Sequence, residues 1–254
     1  MTITRRTLLL GGLGGLGLAL VGCTPDGVPD VGAGPMVSGS FHSSYRHMDV
    51  GYAISYPPGS SDGDRLPVLV TLHGRGGDHT TAFHRSLYLD KYQAQVTNAG
   101  VRPFAIASVD GGDHEYWHPR HDGDPAAMVS REFIPRLGQH GLDVRRVGLL
   151  GWSMGGYGAL YLASRMGRER VSAMVAESPA IWHHSWQSVQ GAFDDAADWT
   201  RHTIWGQQRA LSGIALRIDC GASDGFAPVT RDLRASLHPA PAGGIEPGGH
   251  DSSY

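Results

Sequence analysis

The sequence predicts an α/β fold: a mostly parallel central sheet with helices on both faces and a tryptophan-rich insertion late in the chain. Three observations predict it. Short apolar runs alternate with stretches of helical spacing from residue 67 onward, the rhythm of repeated β-α units. The segment GWSMGGYGAL (151–160) sets one serine among four glycines, between an apolar run and a helical pattern. The segment LHGRGG (72–77) closes an earlier apolar run with three glycines, where the main chain is free to approach a ligand.

The elements follow in order. Asp49–Tyr56 alternates weakly and ends in Pro57-Pro58, which predicts an early antiparallel strand. Pro67–Leu72 and Phe104–Val109 are short and apolar, as buried parallel strands are. Ser86–Ala99 carries Leu87, Leu89, Tyr92 and Val96 at helical spacing, and Ala126–Leu137 also reads as a helix. Val147–Gly151 predicts a strand, Gly155–Met166 a helix, and Val171–Glu177 a strand. Ile214–Cys220 and Val229–Leu237 complete the pattern as strand and helix. Ile181–Gly213 breaks the rhythm with Trp182, Trp186, Phe193, Trp199 and Trp205. It is too long for a simple crossover; a cover over a pocket and extra core helices are equally open readings.

Composition bounds the function. The chain has 254 residues, a formal net charge of −3 and 41% hydrophobic residues, ordinary values for a protein with a sizeable core. No basic run is present, which excludes nucleic acid as an expected partner. Arg5-Arg6 precede an apolar run from Leu8 to Val21, the layout of an export signal and short of the roughly 20 residues of a membrane span. The twin arginines and Leu20-Val21-Gly22-Cys23 predict a twin-arginine lipoprotein signal over residues 1–22 and lipidation of Cys23. Residues 23–40, rich in Gly, Pro and Ser, read as a flexible tether, and 41–254 as the domain. The expected location is the cell envelope, anchored to the membrane through Cys23. Gly12, Gly14 and Gly17 spell a dinucleotide-like G-x-G-x-x-G inside the signal's apolar core, where no strand precedes it, and are set aside. Cys220 then has no disulfide partner and is expected to be buried at a strand end.

Gly151-Trp152-Ser153-Met154-Gly155 fits G-x-S-x-G, with a strand before it and a helix after it. A serine on that turn takes a strained backbone and projects its hydroxyl above the sheet. Such a hydroxyl needs a base, and in this arrangement the acid and then the histidine follow the serine. Asp224 stands just past the strand Ile214–Cys220, at the carboxyl end where open α/β sheets build sites. Asp219 falls within that strand. His250 sits in the glycine-rich GGHDSS, whereas His238 precedes Pro239 at a helix end. The assignment is Ser153, Asp224 and His250. The amides of Met154 and Arg75 are the expected oxyanion donors. His73, Tyr116, Trp117 and His118 are expected to line the substrate pocket. His114, His118 and His121 hold no metal on this reading, since Pro119 breaks any helix that would align them, and no cofactor is expected.

LHGRGG, DGGDHEYWHPR, GWSMGGYGAL, the acid in IDCGASD and the terminal GGHDSSY together resemble the putative-esterase (esterase D-like) family of α/β-hydrolases. That family includes S-formylglutathione hydrolases, feruloyl esterases and mycobacterial mycolyltransferases. The resemblance runs from about Tyr45 to the end and is weakest over Ile181–Gly213. It implies an α/β-hydrolase fold and a serine esterase acting on small-molecule, lipid or sugar esters, carboxylic or thio, through an acyl-enzyme. Its serine, acid, histidine and oxyanion amides fall on Ser153, Asp224, His250, Met154 and Arg75. Arg75 departs from an apolar residue common in some branches. Many relatives continue with a helix after the histidine, whereas this sequence ends four residues later; a loosely held His250 is the expectation. An envelope acyltransferase and a non-catalytic envelope lipoprotein are the alternatives.

Overall fold

The computed structural model describes residues 27–84 and 87–251. The expected signal segment, Cys23 and the start of the expected tether lie outside the described residues. Eight strands form one sheet in the order β1-β2-β4-β3-β5-β6-β7-β8. They are β1 (Met36–Ser43), β2 (Met48–Ser55), β3 (Pro67–Leu72), β4 (Ala105–Val109), β5 (Asp143–Trp152), β6 (Val171–Glu177), β7 (Ala215–Gly221) and β8 (Ile245–Glu246). β1 and β2 form an antiparallel hairpin that pairs antiparallel with β4; every later pairing is parallel. The α/β-hydrolase architecture expected from the sequence is the one observed.

Period-two alternation explains why both faces are covered. Val68, Val70 and Leu72 of β3, with Ala105, Ala107 and Val109 of β4, enter the large core. Leu69 and Ile106, between them in sequence, pack the other way against Ala82 and Phe83. A strand buried on both faces reads as a continuous apolar run, and each fully buried branched side chain contributes about 1.5–3 kcal/mol.

The helices are α1 (Leu89–Asn98), α2 (Pro125–Ala127), α3 (Ile134–Gln139), α4 (Met154–Met166), α5 (Ala196–His202) and α6 (Ala227–Ser236). Ala126–Leu137, expected as one helix, is two short α-helices joined by a π-helical stretch over Met128–Phe133. Pro135 lacks an N–H, so the regular ladder has no donor there, and a π turn absorbs the change. Asp124 caps the start by accepting from the Ala127 N–H at 2.8 Å.

Residues 36–40, assigned to the tether, belong to β1 instead. Met36 through Ser43 register against Ser55 through Met48. The partner strand supplies the backbone hydrogen bonds that composition did not foretell, and Gly39 leaves space for the Tyr52 ring, which an added Cβ would meet within about 3 Å. The insertion packs into the core through Ile181, Ala192, Ile204 and Leu211. Trp182 packs on Tyr116 and Phe226, with ring centres 5.8 and 5.6 Å apart, and accepts from the Trp205 indole N–H through its carbonyl. Trp186 stands 79% exposed. Among the described residues no helix is long and apolar enough to cross a membrane.

Candidate active site

Ser153 lies between the end of β5 and the start of α4, with φ 56° and ψ −116°. A side chain rarely adopts this backbone, and the surroundings hold it there. The Ser153 N–H donates to Glu177 O at 2.9 Å, and its carbonyl accepts from Tyr157 and Ala180 at 3.1 and 3.0 Å. Gly151 and Gly155 are required sterically. A Cβ on Gly151 would fall 1.9 Å from Gly155 O, and one on Gly155 would fall 1.9 Å from Leu72 O.

The sheet and the tail bring the other two side chains to that hydroxyl. His250 Nε2 lies 2.8 Å from Ser153 Oγ, and His250 Nδ1 lies 2.7 Å from Asp224 Oδ2. With the proton on Nδ1, the ring donates to Asp224 and accepts from Ser153. Burial raises the Asp224 carboxyl, but hydrogen bonds from the Phe226 N–H, Ser178 and His250 outweigh it and leave the group below the usual carboxylate range. The tail carrying His250 is tied to the loop after β7: Ala222 N–H donates to Glu246 O at 2.6 Å and Ser223 N–H to Gly248 O at 2.8 Å. The His250 ring stacks on Trp152, with centres 5.2 Å apart and planes at 25°, and meets Phe226 at 5.4 Å. The loosely held histidine expected from the short tail is therefore not what is found. Trp152, Phe226 and Ser178 went unread because one is the free position of the motif and the others matter only through space.

The Met154 amide opens α4, and Arg75 follows β3 in a turn closed by Gly77 N–H to Gly74 O at 3.0 Å. Among the described residues no backbone carbonyl accepts from either amide. The Arg75 side chain is exposed. Both residues lie at the carboxyl edge of the sheet, where the α4 N-terminus adds positive partial charge.

The four residues expected to line the pocket are all buried, and His73 lines an apolar cavity beside Trp152. His73 is 5% exposed; its Nδ1 donates to Gly74 O at 2.8 Å and its Nε2 accepts from the Gly111 N–H at 2.9 Å. Burial lowers its pKa and keeps the ring in the neutral form those two bonds require. Trp117 has no exposed surface, donates to His73 O at 3.2 Å and fills the space left by Gly111 and Gly158. Tyr116 is 4% exposed, and His118 is fully buried against the carbonyls of Pro119 and Ala192. The polar loop 110–121 folds inward because Tyr116 and Trp117 take positive φ, a feature the sequence did not signal.

His114 and His121 pair separately with Asp113 and Asp194. Ligating atoms of His118, Asp198 and His202 do come within 4.8 Å of one another. The Asp198 oxygens already accept from the Asp194 N–H, Arg201 and His202 at 3.0, 3.2 and 2.8 Å, an arrangement that ties the insertion down. Asp219, the rival acid, pairs with Arg217 at 2.7 Å and accepts from the Gly244 N–H. Cys220 is buried and unpaired, its thiol pushed up to about 11 by burial.

The "Putative esterase" family profile matches residues 43–236. The chain is 38% identical to an S-formylglutathione hydrolase of Paracoccus denitrificans over 85% of this chain and 88% of that protein. Its fold is similar to that of a ferulic acid esterase, with a TM-score of 0.73, 19% identity, and 87% and 92% of the two chains covered. An S-formylglutathione hydrolase from Agrobacterium tumefaciens aligns with a TM-score of 0.67, 18% identity and coverages of 85% and 88%.

Proposed function

The chain belongs to the putative-esterase family and is a serine carboxylic-ester hydrolase; on that premise we propose that Ser153, His250 and Asp224 are its catalytic triad and that it works through an acyl-enzyme. The observation that supports this best is the unbroken run of contacts, 2.8 Å from Ser153 Oγ to His250 and 2.7 Å from His250 to Asp224.

His250 Nε2 takes the Ser153 proton as the oxygen attacks the ester carbonyl. The Met154 and Arg75 amides receive the negative charge on the tetrahedral oxygen, each contributing about 3 kcal/mol to the barrier's reduction. His250 then protonates the leaving alcohol or thiol, and water, deprotonated by the same ring, releases the acid. Asp224, ionised across the neutral range by the bonds it accepts, fixes the Nδ1 tautomer and stabilises the imidazolium. Ser153→Ala is expected to remove labelling by a fluorophosphonate probe and to cut p-nitrophenyl ester hydrolysis by about 10⁴-fold or more. Persistent labelling would overturn the assignment. The proposal extends to the expected export signal and Cys23 lipidation, which would hold the esterase at the envelope membrane. Loss of metabolic palmitate labelling in Cys23→Ala is the expected result, and its retention would refute the anchor.

A further inference from the structure

His250 arrives on a loop whose regular structure is two residues long, Ile245–Glu246. Two in-plane hydrogen bonds, to Ser153 and Asp224, grip the ring at opposite nitrogens. Neither bond fixes the tilt of the ring about the line joining them, which is limited by the link to Cβ, by the tilted Phe226 ring at 5.4 Å and by contact with a ring face. Trp152 supplies such a contact, stacked at 25°. Gly74 makes room for it, since a Cβ there would fall 2.8 Å from the indole Cε3. Among the described residues the indole Nε1 has no hydrogen-bond partner, so the side chain is placed by its faces and edges alone.

The same indole has a second neighbour. Leu69, Ala82, Leu89, Ile106 and Leu150 surround an apolar cavity of about 50 Å³ between the sheet, α1 and the turn at Thr81–Phe83. Trp152 and Gly74 line this cavity; Ser153 and His250 do not. The indole therefore touches the His250 ring and also forms part of the wall of this cavity.

We propose that Trp152 is a positioning residue for His250 and, with the same side chain, the wall that restricts this enzyme to esters of short acyl groups. The proposal rests on the triad reading above. Removing the indole frees the imidazole to roll and joins the cavity to the acyl site, where each further buried methylene favours binding by about three- to fourfold.

The test is a p-nitrophenyl ester series from acetate to octanoate with wild type, Trp152→Phe, Trp152→Ala and Ser153→Ala. For Trp152→Ala, kcat on acetate is expected to fall about 10- to 100-fold, as misplacement of a catalytic group does, with KM within about threefold. The octanoate-to-acetate ratio of kcat/KM is expected to rise about tenfold or more. Trp152→Phe, which keeps a flat ring, is expected to restore kcat to within about fivefold of wild type. An unchanged kcat in Trp152→Ala, a loss carried by KM alone, or a Trp152→Phe as slow as the alanine variant would overturn the positioning role. An unchanged chain-length ratio would overturn the wall. If Trp152→Ala does not fold, Trp152→Leu, which fills more of the space but lacks a flat ring, is read in the same way against Trp152→Phe. Activity surviving in Ser153→Ala would instead indict the triad, so the two failures are distinct.

Discussion

The turn around Ser153 and the tail around His250 meet at one hydrogen bond but are built in opposite ways. The serine is held through its backbone: β5 before it, α4 after it, the main chain of Glu177 and Ala180 beside it, and two glycines whose hydrogens are all the space allows. The histidine is held through its side chain, across 97 residues to Ser153 and 26 to Asp224. The first region stores backbone strain and needs a stiff frame. The second carries no such strain and depends on side-chain surfaces. Damage to the turn is therefore expected to appear in folding, and damage to the tail in rate.

The largest test of that contrast is Asp224→Asn. It keeps the shape but favours the wrong imidazole tautomer, and kcat is expected to drop about 10⁴-fold with the melting temperature nearly unchanged. Comparable activity in the variant would mean that His250 is oriented by its ring contacts alone. Next comes Gly155→Ala in the turn. Its methyl would sit 1.9 Å from a backbone oxygen of β3, and a loss of about 4 kcal/mol in denaturant unfolding is expected. A fully stable Gly155→Ala would deny the turn its stiffness. On the tail side, a Cβ on Gly221 would fall 2.4 Å from Gly249 O. Gly221→Ala is expected to lower kcat about tenfold through displacement of His250, at a stability cost of about 1 kcal/mol. The reverse pattern, intact rate with lost stability, would erase the distinction.

The smallest effect is a control in neither region. Burial holds the His118 pKa down at about 4, against an ordinary value of 6.5. The unfolded chain takes up a proton below 6.5 that the folded one refuses until about 4. The stability contributed by the neutral ring is thus complete above 6.5 and declines as pH falls toward 4. Melting temperatures measured from pH 7 to pH 4 are expected to fall more steeply for wild type than for His118→Gln. Parallel curves would show that another group sets this slope.

The same contrast explains what was legible in the sequence. Pro67–Leu72 and Val171–Glu177 form strands with the bounds read from their apolar runs, because a doubly covered strand writes itself locally. The serine turn was legible for the same reason. β1 was not: MVSGSFHS is half small and polar, and its strand exists through pairing with β2. β8 is two residues long and below any periodicity. Asp224 and His250 were found through their order along the chain, whereas Trp152 was passed over as the variable letter of a motif. The depth of Trp117 and His118 was not legible, because polar and aromatic loop residues usually face outward and here both are fully buried.

Trp117 gives that inward turn a practical meaning. Its indole N–H holds the carbonyl of His73, 44 residues earlier, two positions before the Arg75 amide, while its ring is wedged against Gly158 in α4. One hidden side chain thus indexes the loop carrying the proposed oxyanion amide of Arg75 to the helix that follows Ser153. Libraries aimed at new substrate preference in this scaffold should leave that indole untouched, because varying it would shift the loop and the helix against each other before any preference changed.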